Sequence, residues 1–288
     1  MKINSKKISL IVVTTFLISI ICFGVQTSFS SASPKKPVDT LESAANLQTS
    51  APAVSILVYT QYADDSRELP NTMQAINDSY GTDYYYEDLT DYTSLNTNLT
   101  GHNILLIPEQ EGAADSQLKI IGNAWANNLS NFVNNGGIVI LLDHNGGNGG
   151  TYHIYNASGL MDIDGAMDIT DVNVSLVDGN DPLAINVSSS FFAPNGALSF
   201  NTTETTAVVD DGINPMVVHK VSGKGHIVLL GFDFYDSETN CSTILGNSIR
   251  LALPSGGDGG GTISFGSYFL IFVIISIFSL VAYQKRRK

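Results

Sequence analysis

The feature that most constrains this chain is a pair of short apolar runs, NILLIP at residues 103–108 and IVILL at 138–142. Neither alternates polar with apolar residues, so each reads as a strand covered on both faces. Between them, residues 115–134 place Leu118, Ile121, Trp125, Leu129, Phe132 and Val133 at helical spacing. Asp115 is the expected cap of this helix, and Gly136 and Gly137 are its stop. Two buried strands joined by a helix require a parallel pair with a right-handed crossover.

The flanking sequence extends the same pattern. Residues 54–60 (VSILVYT) predict a first buried strand, and 67–80 a helix with Leu69, Met73 and Ile76 inward and Pro70 tolerated in its first turn. Gly81 ends that helix. Residues 83–89 (DYYYEDL) predict an aromatic strand near the sheet edge, with Tyr84–Tyr86 showing alternate faces, and 90–100 an irregular connection. Beyond residue 150 a short helix is expected at 151–160. A loop-rich insertion with short β runs, such as 172–177, comes next at 162–201, with turn signals at 178–182 and 194–196. Strands are expected at 205–209, 216–221 and 226–231, the last two as a hairpin with Lys224 at its tip. A closing helix at 242–253 buries Ile244, Leu245, Ile249 and Leu251. The sum is an α/β domain: an open, mainly parallel sheet with helices on both faces and a β-rich insertion.

The ends of the chain carry an address. Lys2, Lys6 and Lys7, an apolar run at 8–25 and small residues at 28–33 make a secretory signal pattern over 1–32, long enough to be read also as an uncleaved anchor. A polar leader spans 33–52, the folded domain 53–253 and a glycine-rich linker 254–262. Residues 263–283 are apolar for the length of a bilayer-crossing helix, and the tail 284–288, QKRRK, is expected to stay inside. The expectation is a single-pass cell-membrane protein with its domain outside. Asn-x-Ser/Thr sequons begin at Asn77, Asn98, Asn128, Asn156, Asn173, Asn186, Asn201 and Asn240, which fits an exported glycoprotein. Residues 53–253 hold five positive against 24 negative side chains, a formal charge of −19. Such a surface repels nucleic acid and anionic lipid and attracts cations. With the signal removed, Cys241 has no intrachain disulfide partner, so the fold must rest on its hydrophobic core.

NILLIPEQ, the helix ending NFVNNGG before IVILL, then GKGHIVLLGFDFYD and the final SIRLAL resemble the class I glutamine amidotransferase-like (flavodoxin-like) superfamily. The likeness covers about residues 53–253. It is greatest to non-catalytic, membrane-tethered extracellular members, such as domains associated with gliding-motility transporters. Active members of that superfamily place a nucleophilic cysteine in a strand-to-helix turn. Here the turn after residues 138–142 reads Asp143-His144-Asn145-Gly146-Gly147, with no cysteine. Cys241 comes after the last strand, where Asp236 and Glu238 are expected to raise its pKa. The resemblance therefore implies the fold without the glutaminase chemistry.

In open parallel sheets ligands bind at the carboxyl ends of the strands, and here those ends are acidic. The first strand is followed by Asp64 and Asp65, the third by Glu109 and Glu111, the fourth by Asp143 and His144, the last by Asp233 and Asp236. Converging, they would supply hard oxygen ligands for Ca²⁺ or Mg²⁺; the competing reading is that they are solvated loop acids. Residues 146–150 (GGNGG) lack the lysine of a phosphate-binding loop, and no G-x-S-x-G elbow is present. Trp125 shares a helical face with Leu118, Ile121 and Leu129 and reads as core. The expectation is a non-enzymatic surface domain binding a ligand, glycan or partner protein at the acidic strand ends. The alternative is a metal-assisted hydrolase using Asp143, His144, Glu109 and Asp233.

Overall fold

A computed structural model of the chain describes residues 54–144, 150–204 and 206–253. The signal, leader, linker, membrane helix and tail read from the sequence, and most of the GGNGG segment, lie outside the described residues. Among the described residues no helix is long and apolar enough to cross a membrane.

The expected α/β sheet is present. Strands β1 (Val54–Tyr59), β2 (Tyr84–Leu89), β3 (Ile104–Ile107), β4 (Ile138–Leu142) and β11 (Gly225–Leu230) are parallel, in the order β2-β1-β3-β4-β11. That is the flavodoxin-like order, in which the chain reverses direction across the sheet beside β1. Rows of side chains continue from strand to strand: Val58 pairs with Leu106, Leu106 with Ile140, and Ile140 with Val228. The residues of β3 and β4 are all buried, because helices cover both faces. On one face lie α1 (Glu68–Ser79) and α5 (Thr239–Arg250), whose Ile76, Ile244, Leu245 and Ile249 pack on Ile56, Val58, Leu106 and Ile140. On the other lie α3 (Asp115–Asn134) and α4 (His153–Ser158), which bring Ile121, Trp125, Leu129, Ile154 and Tyr155 onto Leu57, Leu105, Val139 and Leu229. Trp125 is a core residue, as its spacing implies. Its indole stands edge-on to Tyr59 at 4.8 Å, and its N–H donates to the Tyr92 carbonyl. β2 is an edge strand on which Tyr84 and Tyr86 pack on the first core while Tyr85 stacks on His102 of the other face.

Four elements differ from the sequence reading. Asp115 is the first residue of α3 and not its cap; Ala114 occupies the cap position and makes no side-chain hydrogen bond there. The Asp115 carboxylate instead faces His153 Nε2 at 3.1 Å, tying α3 to α4. Residues 90–100 are not irregular: Asp91 caps a 3-10 turn at Tyr92–Ser94 that runs into α2 (Leu95–Asn98). The closing helix begins three residues earlier than expected, because the Glu238 side chain accepts from the Cys241 amide and starts it at Thr239. The largest difference concerns the insertion. It contains β5 (Ile163–Asp168), β6 (Asn173–Leu176), β7 (Ser190–Phe192) and β8 (Leu198–Thr202). β6 and β7 join β9 (Ala207–Asp210) and β10 (Pro215–Ser222) to prolong the main sheet, antiparallel, to nine strands, while β5 and β8 pair separately.

The two sheets meet tightly at Gly231, directly after β11. A β-carbon there would lie 2.0 Å from the Leu198 carbonyl oxygen, and the Gly231 carbonyl accepts from the Leu198 amide at 2.7 Å. Gly231→Ala should therefore destabilise the protein by about 2–3 kcal/mol, lowering the melting temperature by about 5–10 °C. Gly165→Ala, where nothing lies within 4 Å of the added carbon, should change stability by no more than about 0.5 kcal/mol. Thermal melts of both variants check the contrast.

Candidate functional site

Because five strands run in parallel, their carboxyl ends open at one edge of the sheet, and a cleft of about 480 Å³ lies there. It is lined by Asp64, Ser66, Arg67, Glu68, Glu111, His144, Asn195, Gly196, Asp233 and Tyr235. Asp64 comes from the loop after β1, Glu111 from that after β3, His144 from the end of β4, Asp233 from the end of β11, and Asn195 and Gly196 from the turn between β7 and β8.

Two buried groups hold the loops in place. Gln110 is 2% exposed; its side-chain NH₂ donates to the Tyr59 and Pro108 carbonyls, and its Oε1 accepts from the Tyr62 amide. It thereby stitches the ends of β1 and β3 together. Asp143 is fully buried and accepts from the backbone amides of His144 and Thr151 through Oδ1 and of Tyr152 through Oδ2. These bonds clamp the start of α4. Asp236 is outside the cleft lining and lies 3.6 Å from the Arg67 guanidinium, which also stacks on the Tyr235 ring at 3.5 Å.

Glu109, His144 and Asp233 do converge, and they converge on a residue that the sequence reading passes over. Glu68 is 7% exposed and opens α1. Glu68, Thr72 and Ile76 lie at i, i+4 and i+8 and form the buried stripe of that helix, whereas Leu69 and Met73 are only half-buried. The signal is present in the sequence: continuing the stripe one turn back from Thr72 puts an acid on the inward face. The Glu68 and Glu109 carboxyls are buried beside each other, so each disfavours the charged form of the other. Desolvation dominates at both. It and the neighbouring carboxyls push Glu68 up to about 9 and Glu109 up to about 8. Burial likewise raises Asp143, to about 7 despite its amide donors, and raises Asp233. His144 Nδ1 lies 3.1 Å from Glu109 Oε1, yet its geometry forms no hydrogen bond. Glu68 Oε2, Glu109 Oε2 and His144 Nδ1 are all buried with no donor or acceptor assigned to them from the rest of the protein. Asp64, Glu68 and Glu111 each bring one oxygen within 4.8 Å of the others.

Cys241 is 1% exposed within the apolar core beneath α5. Burial, then Glu238 and Asp233, push its thiol well above the usual range; Asp233 takes the part the sequence reading gives to Asp236. The sequons divide by engagement. Asn156 bonds both the amide and the carbonyl of Ile163, Asn240 bonds the Ser188 amide and Glu238, Asn77 accepts from Tyr84, and Asn98 donates to Ser94. Asn128 is half-buried; Asn173, Asn186 and Asn201 are exposed.

No family model and no curated protein matches the sequence. Among solved structures, the cytoplasmic protein STM1381 from Salmonella typhimurium LT2 aligns with 69% of this chain and 100% of its own, at 9% identity and a TM-score of 0.51. A ThuA-like protein from Bacteroides uniformis ATCC 8492 covers 73% of this chain and 95% of its own at 16% identity, with a TM-score of 0.48. A β-galactosidase from Bacillus circulans sp. alkalophilus aligns through 31% of its length with 69% of this chain, at 9% identity and a TM-score of 0.46. At such identities the likeness concerns the fold alone.

The buried acids set an unusual pH dependence. Glu68 and Glu109 hold protons in the folded chain that they release near pH 4.5 when unfolded. The folded state binds more protons over that interval, so their contribution to stability is full below about pH 4.5 and is lost as pH rises through about 8–9. Toward acid pH other groups act in the opposite sense. Asp64 is held low by its hydrogen bonds to Ser66, and Asp211 is held low by hydrogen bonds although burial opposes them. His102, His153 and His226 are held low by burial. Glu68→Gln keeps a donor toward Glu109 and carries no charge. In chelator-treated protein its urea midpoint should rise relative to wild type as pH goes from 5 to 9; a constant difference would contradict the assignment.

Proposed function

We propose that this chain is a non-catalytic, amidotransferase-like surface domain. It is tethered by one helix at 263–283 with its tail inside, and it binds a ligand, a glycan or a partner protein in the cleft at the carboxyl ends of the parallel strands. The observation that carries the reading is the pairing of an acidic cleft, containing buried polar atoms that lack protein partners, with a cysteine sealed in apolar core. Unsatisfied buried groups are costly, typically about 1–3 kcal/mol each, and an incoming donor or cation relieves that cost. A thiol raised by burial and by two carboxylates supplies no nucleophile. The exposed Asn173, Asn186 and Asn201 all lie in the insertion, so glycans there would leave the helical faces bare.

A second reading, hydrolysis by a metal-activated water, draws on the closeness of His144 Nδ1 to Glu109 Oε1 beside the Asp64, Glu68 and Glu111 oxygens. It requires divalent-dependent turnover of a probe such as p-nitrophenyl phosphate or acetate, abolished by Glu109→Gln.

The orientation is testable on intact cells. A membrane-impermeant amine reagent should label the exposed Lys119 and Lys224 and spare Lys285 and Lys288 until the membrane is opened. Labelling of the tail lysines first would reverse the topology. A photo-reactive residue at position 66 on the cleft rim should give a discrete adduct that one at position 135, on the opposite edge, does not. Identical adducts from both sites, or none from either, would remove the cleft as the binding site.

A further inference from the structure

The cleft holds three carboxylate oxygens within 4.8 Å of one another, from Asp64, Glu68 and Glu111, supplied by two different loops and the start of α1. Three acids alone make no site, since repulsion in water is weak and loop acids are usually solvated. Two further observations set this group apart. Glu68, which lines the cleft, is only 7% exposed, and its Oε2 has no hydrogen-bond partner. The 8% exposed His144 borders the same space with an unpartnered Nδ1. Arg67, which also lines the cleft, lies against Asp236 and stacks on Tyr235. The fold therefore gathers carboxyl oxygens at one point, where an incoming cation would displace the proton that burial holds on Glu68.

We infer that Asp64, Glu68 and Glu111 form a binding site for a hard divalent cation of the Ca²⁺ type. This deepens the binding role proposed above, on which it rests, by naming one ligand of the same cleft. The chemistry suits Ca²⁺: all three ligands are carboxylate oxygens, the preferred donors of a hard cation. They come from loops and a helix start, a donor set that tolerates the irregular six- to eight-fold shell of Ca²⁺ better than the strict octahedron of Mg²⁺. The open side of the cleft leaves room for water or for hydroxyls of a bound partner to complete the shell. Asp64 is already oriented, because its Oδ1 accepts from the amide and hydroxyl of Ser66. The cation would join the loop after β1 to the loop after β3, the two that Gln110 stitches from beneath.

The test is calorimetric titration of CaCl₂ into chelator-treated full-length protein in non-ionic detergent, with melts in parallel. The result expected is one Ca²⁺ per chain with a Kd of about 10⁻⁴–10⁻³ M, the range of extracellular calcium modules. The melting temperature should rise by about 5–10 °C at a hundred times Kd. NaCl of matched ionic strength must give a smaller rise, because screening alone stabilises so acidic a domain. Glu111→Gln and Glu68→Gln should each weaken binding at least about tenfold, and Asp83→Asn, an exposed acid at the other end of α1, should leave it unchanged. Glu68→Gln preserves the contact with Glu109, so it keeps the test informative should Glu111→Gln misfold. Absence of saturable binding, an equal rise in NaCl, or binding undiminished in the two cleft variants would overturn the site. An adduct from position 66 that persists without calcium would leave the binding role standing and remove only the cation.

Discussion

A parallel sheet delivers every strand's carboxyl end to the same edge, and in this chain that edge is occupied by desolvated acid. The strands are apolar because helices cover both faces. Each loop leaving a strand must then turn over a rim already walled by helix ends, and Glu68, Glu109, Asp143 and Asp233 are each less than a tenth exposed there. Four such carboxyls cannot all remain ionised out of water. The chain resolves the conflict in two ways: Asp143 is met by three backbone amides, and Glu68 and Glu109 are kept in their neutral forms by burial. The first solution is structural and complete. The second leaves oxygens without a protein donor, which is why the cleft and not the clamp is the functional candidate.

Much of this is legible in residue order. Uninterrupted apolar runs mark β1, β3, β4 and β11, and Gly223 and Gly225 around Lys224 mark the hairpin after Val217. The acidic edge is legible too, and Asp64, Glu109, Glu111, His144 and Asp233 do lie at it. Local sequence says less about what each acid touches. Asp143 and Glu109 come after similar strands, yet only Asp143 finds amides, because that depends on where Thr151 and Tyr152 begin α4. Glu68 escapes because a helical stripe through Leu69 and Met73 runs one position out of phase with the buried face. The insertion is underestimated for a different reason. Pairing of β6 with β9 joins segments separated by the whole β7–β8 excursion, and no short-range pattern encodes such a partner.

The insertion also shapes the candidate site. It brings Asn195 and Gly196 to the cleft, with Gly196 opposite the Asp233 carboxylate, and it carries the exposed sequons. The wing thus shapes one wall of the cleft, while the parallel core positions the acids of the other. Cys241 sits under α5 as packing, and catalysis through it would require dismantling the core that holds α5 to β11.

The central claim is that burial keeps both Glu68 and Glu109 protonated far above the ordinary carboxylate range. Carboxyl carbon-13 resonance, followed from pH 4 to pH 10 in selectively labelled, metal-free full-length protein, tests it most directly, with Glu68→Gln to assign the signals. The account predicts two glutamate carboxyls with midpoints of about 8 and about 9, both altered by that substitution. Titration of every glutamate below about pH 5.5, the ordinary range for solvated carboxylates, would contradict it.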